Sequence, residues 1–130
     1  MKFYKCLKCG KVIEEITSGS NVTMCCGDNM ILLKANTSDG AVEKHVPVIT
    51  VNNNVVAITV GEELHPMEED HYIEFVVLET SEGIYKKMLK PGDTPFGEFL
   101  IKIDEKVVNA YAYCNKHGLW KDDNNEIKNN

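Results

Sequence analysis

Residues 46–60 read Val46-Pro-Val-Ile-Thr-Val51, then Asn52-Asn-Asn54, then Val55-Val-Ala-Ile-Thr-Val60. Two β-branched runs flank a turn of asparagines, which tolerate the left-handed conformation, so the stretch predicts a β-hairpin. Toward the C-terminus, strands are expected at 71–79, 84–89, 98–103 and 107–113, separated by Ser81-Glu-Gly83, Pro91-Gly-Asp-Thr-Pro95 and Asp104-Glu-Lys106. Short strands at close, even spacing point to a sandwich or small barrel rather than to βαβ units. No long amphipathic helix is expected, and the fold class reads as all-β.

Toward the N-terminus the chain changes character. Residues 1–36 carry two cysteine turns, Cys6-Leu-Lys-Cys9-Gly10 and Cys25-Cys26-Gly27, followed by strand candidates at Lys11–Ile16 and Met30–Leu33. So short a segment cannot build a useful apolar core and needs a metal or another chain to fold. The polar stretch Asn36-Thr-Ser-Asp-Gly40 reads as a linker, dividing the chain into parts 1–36 and 37–130. Charge follows the same division: five Lys face three acids before the break, and nine face seventeen after it.

The whole chain of 130 residues has net charge -6 and 14 basic residues, all of them Lys. An acidic chain without arginine lacks the basic stripe and base-reading side chains of a nucleic-acid binder, so no nucleic-acid partner is expected. No apolar run approaches the roughly 20 residues of a membrane span. The opening Met1-Lys-Phe-Tyr-Lys-Cys6 offers no apolar leader segment, which argues against secretion and for the cytoplasm.

Five cysteines without an export signal favour metal or redox chemistry over a disulfide framework. Cys6, Cys9, Cys25 and Cys26 form one set; His45, His65, His71, Cys114 and His117 form another. In the first set, Gly10 and Gly27 let the backbone curl so that amides face the sulfurs. Four thiolates suit tetrahedral zinc or mononuclear iron, and ligand type alone does not choose between them. Adjacent Cys25 and Cys26 on one metal should distort the tetrahedron.

In the second set, six residues separate His65 from His71, too far along a strand and on different sides of a helix, so the Pro66–Asp70 loop must fold them together. Cys114-Asn-Lys-His117 is a local chelate at the end of a strand, and His45 immediately precedes one. One end of a sandwich could hold all five. Four imidazoles and a thiolate exceed structural zinc and are too soft for calcium or magnesium, whereas iron accepts them with a sixth position left open.

These residues also carry a resemblance. Tyr4-Lys-Cys6-x-x-Cys9-Gly10, Cys25-Cys26-Gly27, Glu43-Lys-His-Val-Pro47, His65-Pro-Met-Glu-Glu-x-His71-Tyr-Ile73, Leu89-Lys-Pro-Gly92 and Cys114-Asn-x-His117-Gly-Leu-Trp120 together make the sequence resemble the desulfoferrodoxins, two-iron superoxide reductases. The resemblance implies a small desulforedoxin-like metal-binding module at 1–36, holding a distorted iron site through Cys6, Cys9, Cys25 and Cys26. An immunoglobulin-like β-sandwich at 37–130 would hold the catalytic iron through equatorial His45, His65, His71 and His117 and axial Cys114. It further implies two mononuclear non-haem iron ions per chain, one-electron reduction of superoxide to hydrogen peroxide, a rubredoxin-like electron donor and a homodimer. Lys44 is expected to attract superoxide, and Glu43 to occupy the open iron position after turnover. Trp120, just after the His117 chelate, reads as an ordinary core tryptophan, with shielding of the site as the alternative. A non-enzymatic iron electron carrier and a zinc-stabilised interaction module stand as the alternatives.

Overall fold

The computed structural model describes residues 1–38 and 40–123 together with the backbone of 128–129. The chain divides into two compact units, Met1–Lys34 and Ala35–Asn130. In the first, β1 (Lys2–Lys5) lies between β2 (Val12–Glu15) and β5 (Ile31–Leu32), antiparallel to both. A second ribbon pairs β3 (Met24–Cys25) with β4 (Asp28–Asn29). Phe3, Cys6 and Met30 are its buried apolar residues, while Leu7, Ile16, Val22 and Met24 stay exposed. Apolar burial this sparse does not by itself hold so short a unit together.

The second unit is a β-sandwich. One sheet has the order β10-β7-β6-β13 and the other β12-β11-β8-β9. The first comprises β6 (Pro47–Asn52), β7 (Val55–Val60), β10 (Phe96–Leu100) and β13 (Lys128–Asn129); the second comprises β8 (Ile73–Thr80), β9 (Ile84–Met88), β11 (Val107–Cys114) and β12 (Gly118–Lys121). The hairpin forms where the asparagines predict it, but more tightly: Asn52 pairs with Val55, leaving Asn53 and Asn54 as the turn, with Asn53 at φ 55°. Alternation then sends Ile49, Val56, Ile58 and Val60 inward, where they meet Ile73, Val76, Leu78, Ala110 and Ala112 of the opposite sheet.

Two strands depart from expectation by two residues or more. β8 begins at Ile73 because His71 is engaged in a bridge with Glu68. β10 runs over 96–100 instead of 98–103, because Phe96 and Gly97 pair with Thr59 and Ile58 immediately after Pro95. The segment read as a linker is anchored at its first residue: Asn36 Nδ2 donates to the Lys121 carbonyl at 3.2 Å, and its Oδ1 accepts the Lys121 N–H at 2.9 Å. The Asn36 N–H also donates to the Leu119 carbonyl at 3.0 Å. Asp39 lies outside the described residues.

Gly97 faces the core with no room for a side chain. A Cβ there would come 2.7 Å from the Val76 side chain. Gly97→Ala is therefore expected to cost about 1–3 kcal/mol through overpacking, read as a lower midpoint in denaturant melts, with metal retention unchanged.

Candidate metal centres

All five donors of the second set lie at one end of the sandwich. A single helical turn, α1 (Val42–His45), delivers His45 directly ahead of β6. One turn cannot sustain itself in water. Its position is fixed from outside: the Glu63 N–H donates to the Glu43 carbonyl at 3.0 Å and the Gly61 N–H to the Val46 carbonyl at 3.1 Å. Gly61 has φ 82°, and a Cβ there would meet the Lys44 carbonyl carbon and oxygen at 2.6 Å, so only glycine lets α1 settle this close. The same turn, following β7, carries on to His65. His71 precedes β8, Cys114 ends β11, and His117 sits in the turn before β12.

The four imidazoles form a square. Ring centroids stand 4.6 Å apart for His45–His65, 4.7 Å for His65–His71, 5.0 Å for His71–His117 and 4.7 Å for His45–His117. Neighbouring rings are near perpendicular, while His45 and His71 face each other across 6.5 Å; a flat square of this side has a diagonal of about 6.6 Å. His45 Nε2 lies 3.1 Å from His65 Nε2 and 3.0 Å from His117 Nδ1. Nitrogens about 2.1 Å from a common metal are roughly 3.0 Å apart in a square and roughly 3.4 Å apart in a tetrahedron, so the spacing selects the square. Cys114 Sγ is 3.8 Å from His117 Nδ1, and all five donor atoms lie within 4.8 Å of one another. A fifth donor that near to every corner can only lie off the plane, in the axial direction.

The surroundings prepare these nitrogens as donors. His45 Nδ1 is 2.7 Å from the Ala41 carbonyl and His65 Nδ1 is 2.7 Å from the Pro66 carbonyl. A carbonyl only accepts, so each Nδ1 carries the proton and each Nε2 presents its lone pair. Burial pulls His45, His65 and His71 below the usual imidazole range, His65 to about 4. Among the described residues the buried Nε2 of His71 has no hydrogen-bond partner, the signature of a group whose partner is a cation. Burial raises the Cys114 thiol, although the His117 and Lys116 backbone N–H groups favour its thiolate. A bound metal would complete that stabilisation.

The four-cysteine set also converges, its sulfurs within 4.8 Å of one another. Cys9 and Cys25 sulfurs are 3.7 Å apart, and Cys25 and Cys26 sulfurs 3.9 Å apart. Metal–sulfur bonds of about 2.3 Å give a tetrahedral edge of roughly 3.8 Å. The adjacent cysteines therefore leave that edge nearly regular, and the backbone absorbs the constraint instead: Cys26 takes φ 53°, in the left-handed region. The Cys9 N–H points at Cys6 Sγ and, as the largest influence, holds that thiol down at about 6. Cys25 is pushed up to about 12, chiefly by its hydrogen bond to Cys6. Lys8 joins the two turns through the Cys26 carbonyl at 3.3 Å and Asp28 at 3.2 Å.

Glu43 and Lys44 are exposed on α1, beside buried His45. Trp120 fills the core and also flanks the site: its ring stacks on His45 at 4.8 Å, and its Nε1–H donates to the His117 carbonyl at 3.0 Å. Gly40 was missed altogether, yet a Cβ there would meet Trp120 at 3.2 Å, His45 at 3.3 Å and His117 at 3.4 Å. A glycine in a polar stretch carries no sequence signal for such a contact. Gly61 was missed for the same reason, whereas the closeness of Trp120 to His117 in sequence was an available cue.

Residues 37–123 match the protein-family model described as Desulfoferrodoxin. The chain is 51% identical over 120 residues to a desulfoferrodoxin of Nitratidesulfovibrio vulgaris, covering 92% of this chain and 94% of the relative. It is 46% identical over 121 residues to a desulfoferrodoxin homolog of Archaeoglobus fulgidus, covering 93% and 95%. Among solved structures, the superoxide reductase from Treponema pallidum aligns with TM-score 0.77 and 33% identity over 93% of this chain and 98% of that one. The superoxide reductase from Giardia intestinalis aligns with TM-score 0.51 and 35% identity over 62% of this chain and 95% of that one.

The imidazole environment sets a pH dependence for the metal-free chain. An unfolded histidine takes up its proton near 6.5, whereas folded His65 does so only near 4, so between those values the unfolded chain binds more protons. Stability from this source is complete above about 6.5 and is lost as pH falls through about 4, with His45 and His71 adding in the same direction. Denaturant melts of the metal-free chain should show a lower midpoint at pH 5 than at pH 7.5; equal midpoints would contradict buried, neutral imidazoles.

Proposed function

The chain belongs to the desulfoferrodoxin family, and on that premise we propose that this oxidoreductase is a superoxide reductase, adding one electron and two protons to superoxide to release hydrogen peroxide. The observation that carries the reading is the square of imidazole nitrogens with one thiol off its plane. His45, His65, His71, His117 and Cys114 would hold the catalytic iron. Iron bound there would supply a one-electron reductant with an exchangeable position. Cys6, Cys9, Cys25 and Cys26 are the ligands of the second mononuclear iron. Residues 1–36 then form the desulforedoxin-like module and 37–130 the catalytic domain.

The chain's own residues manage the anion and its surroundings. The net charge of -6 repels superoxide at long range. At physiological salt, however, charges are screened beyond about 8 Å, and nearby cations decide the approach. Lys44 supplies such a cation on the turn that ends in His45, and Glu43 beside it would offer a carboxylate to a bound iron. Trp120 and Gly40 close off the flank of His45 and His117. A rubredoxin-like electron donor, a homodimer and a cytoplasmic location complete the proposal. Among the described residues no helix is long and apolar enough to cross a membrane.

Metal analysis should return two irons per chain, with separate thiolate-to-iron absorption bands for the two ligand sets; zinc in both would remove the redox reading. Rapid mixing of the reduced protein with superoxide should give fast oxidation and peroxide without oxygen, which a simple carrier would not do. Lys44→Ala should slow the second-order reaction and flatten its dependence on salt, while Lys44→Arg retains most of both. An unchanged rate in Lys44→Ala would remove that side chain from the mechanism.

A further inference from the structure

The equatorial histidines are not all held in the same way. The rings of His45 and His65 are oriented by carbonyl groups at Nδ1, 2.7 Å away in each case. For His71 the hold is visible on the backbone to either side. The Asn115 side chain accepts the Tyr72 N–H at Oδ1, 2.9 Å, and donates from Nδ2 to the Asp70 carbonyl at 3.1 Å. The Asn115 N–H also donates to the Tyr72 carbonyl at 3.2 Å. Behind this grip, Glu68 and His71 exchange two backbone hydrogen bonds of 2.9 and 3.1 Å, which close the turn.

One amide therefore brackets His71, and it does so from inside the Cys114–His117 chelate. We infer that Asn115 is a positioning residue for His71, locking that ligand's peptide to the segment that supplies the axial sulfur and His117. A primary amide offers the required acceptor and donor on two separate atoms of one short planar group. A carboxylate keeps the bond to the Tyr72 N–H but turns an acceptor toward the Asp70 carbonyl. Alanine loses both bonds. The neighbouring ion pair, Lys116 Nζ to Asp70 at 3.8 Å, is exposed and adds little.

The inference rests on the reading of His71 as a ligand, and the test separates the two. The full-length, iron-loaded protein is challenged with excess EDTA while iron loss from each centre is followed by its own absorption band. Loss of a residue that orients a ligand typically costs about 10–100-fold in metal affinity. Asn115→Ala should weaken iron retention at the His4Cys centre by that factor, with the four-cysteine iron in the same molecules unaffected. Asn115→Asp should fall between parent and Ala, and Lys116→Ala should match the parent. In a His71→Ala background, Asn115→Ala should have no further effect, since the side chain acts through that ligand. Parent-like retention in Asn115→Ala beside an impaired His71→Ala would overturn the inference, as would additive losses in the double variant. Should Asn115→Ala fail to fold, Asn115→Asp decides: partial loss at the His4Cys centre alone supports the inference, and parent-like retention overturns it. Parent-like His71→Ala removes the ligand reading, and the inference with it.

Discussion

The approach of His45 Nε2 to His65 Nε2, 3.1 Å apart in a buried setting, is the constraint around which the sandwich end is organised. With both Nδ1 atoms protonated by their carbonyl partners, two lone pairs face each other with no hydrogen between them. Such an arrangement is unfavourable without a cation. Each ring is placed by elements stabilised elsewhere: His45 by a turn resting on Gly61, His65 by the loop leaving β7, and both by the core hairpin that joins them. The stability of the sheets maintains a locally costly geometry, and a bound metal converts that geometry into a strong site.

The two donor sets solve different problems. The five-donor site is assembled on a core that folds by apolar burial, so its metal can be reserved for chemistry. The cysteine unit buries few apolar residues, and its sulfurs have to act as the core. Even the accommodation of strain differs. In the sandwich, Gly40, Gly61 and Gly97 sit where a Cβ would clash or crowd a neighbour, whereas in the small unit nothing crowds Gly10 or Gly27, and a cysteine, Cys26, joins them at positive φ so that neighbouring sulfurs can share a metal.

Much of this was legible in the sequence. The β-branched runs around the asparagines in 46–60 revealed the hairpin, and the ligand types and their placement at strand ends or in cysteine turns revealed both donor sets. What remained hidden depended on contacts between distant segments. Gly40 and Gly61 look like ordinary loop glycines until the groups facing them are known. Asn36 reads as a linker residue because its partner, Lys121, is 85 positions away. Trp120 reads as core because its stacking on His45 is equally nonlocal. β8 was drawn to start at His71 because periodicity cannot distinguish a ligand-bearing turn from the first residue of a strand.

The spacing of ligands along the chain also bears on biosynthesis. The sulfur cluster is complete once Cys26 has been made, and its connections are local, with Cys6 and Cys25 only 19 positions apart. The imidazole square instead joins His45 to His117 across 72 positions. During translation the thiol pocket can capture its ion while the ribosome is still producing the sandwich. The nitrogen-rich pocket has to wait until the turn after β11 has emerged and docked, so the two ions are expected to be acquired in sequence.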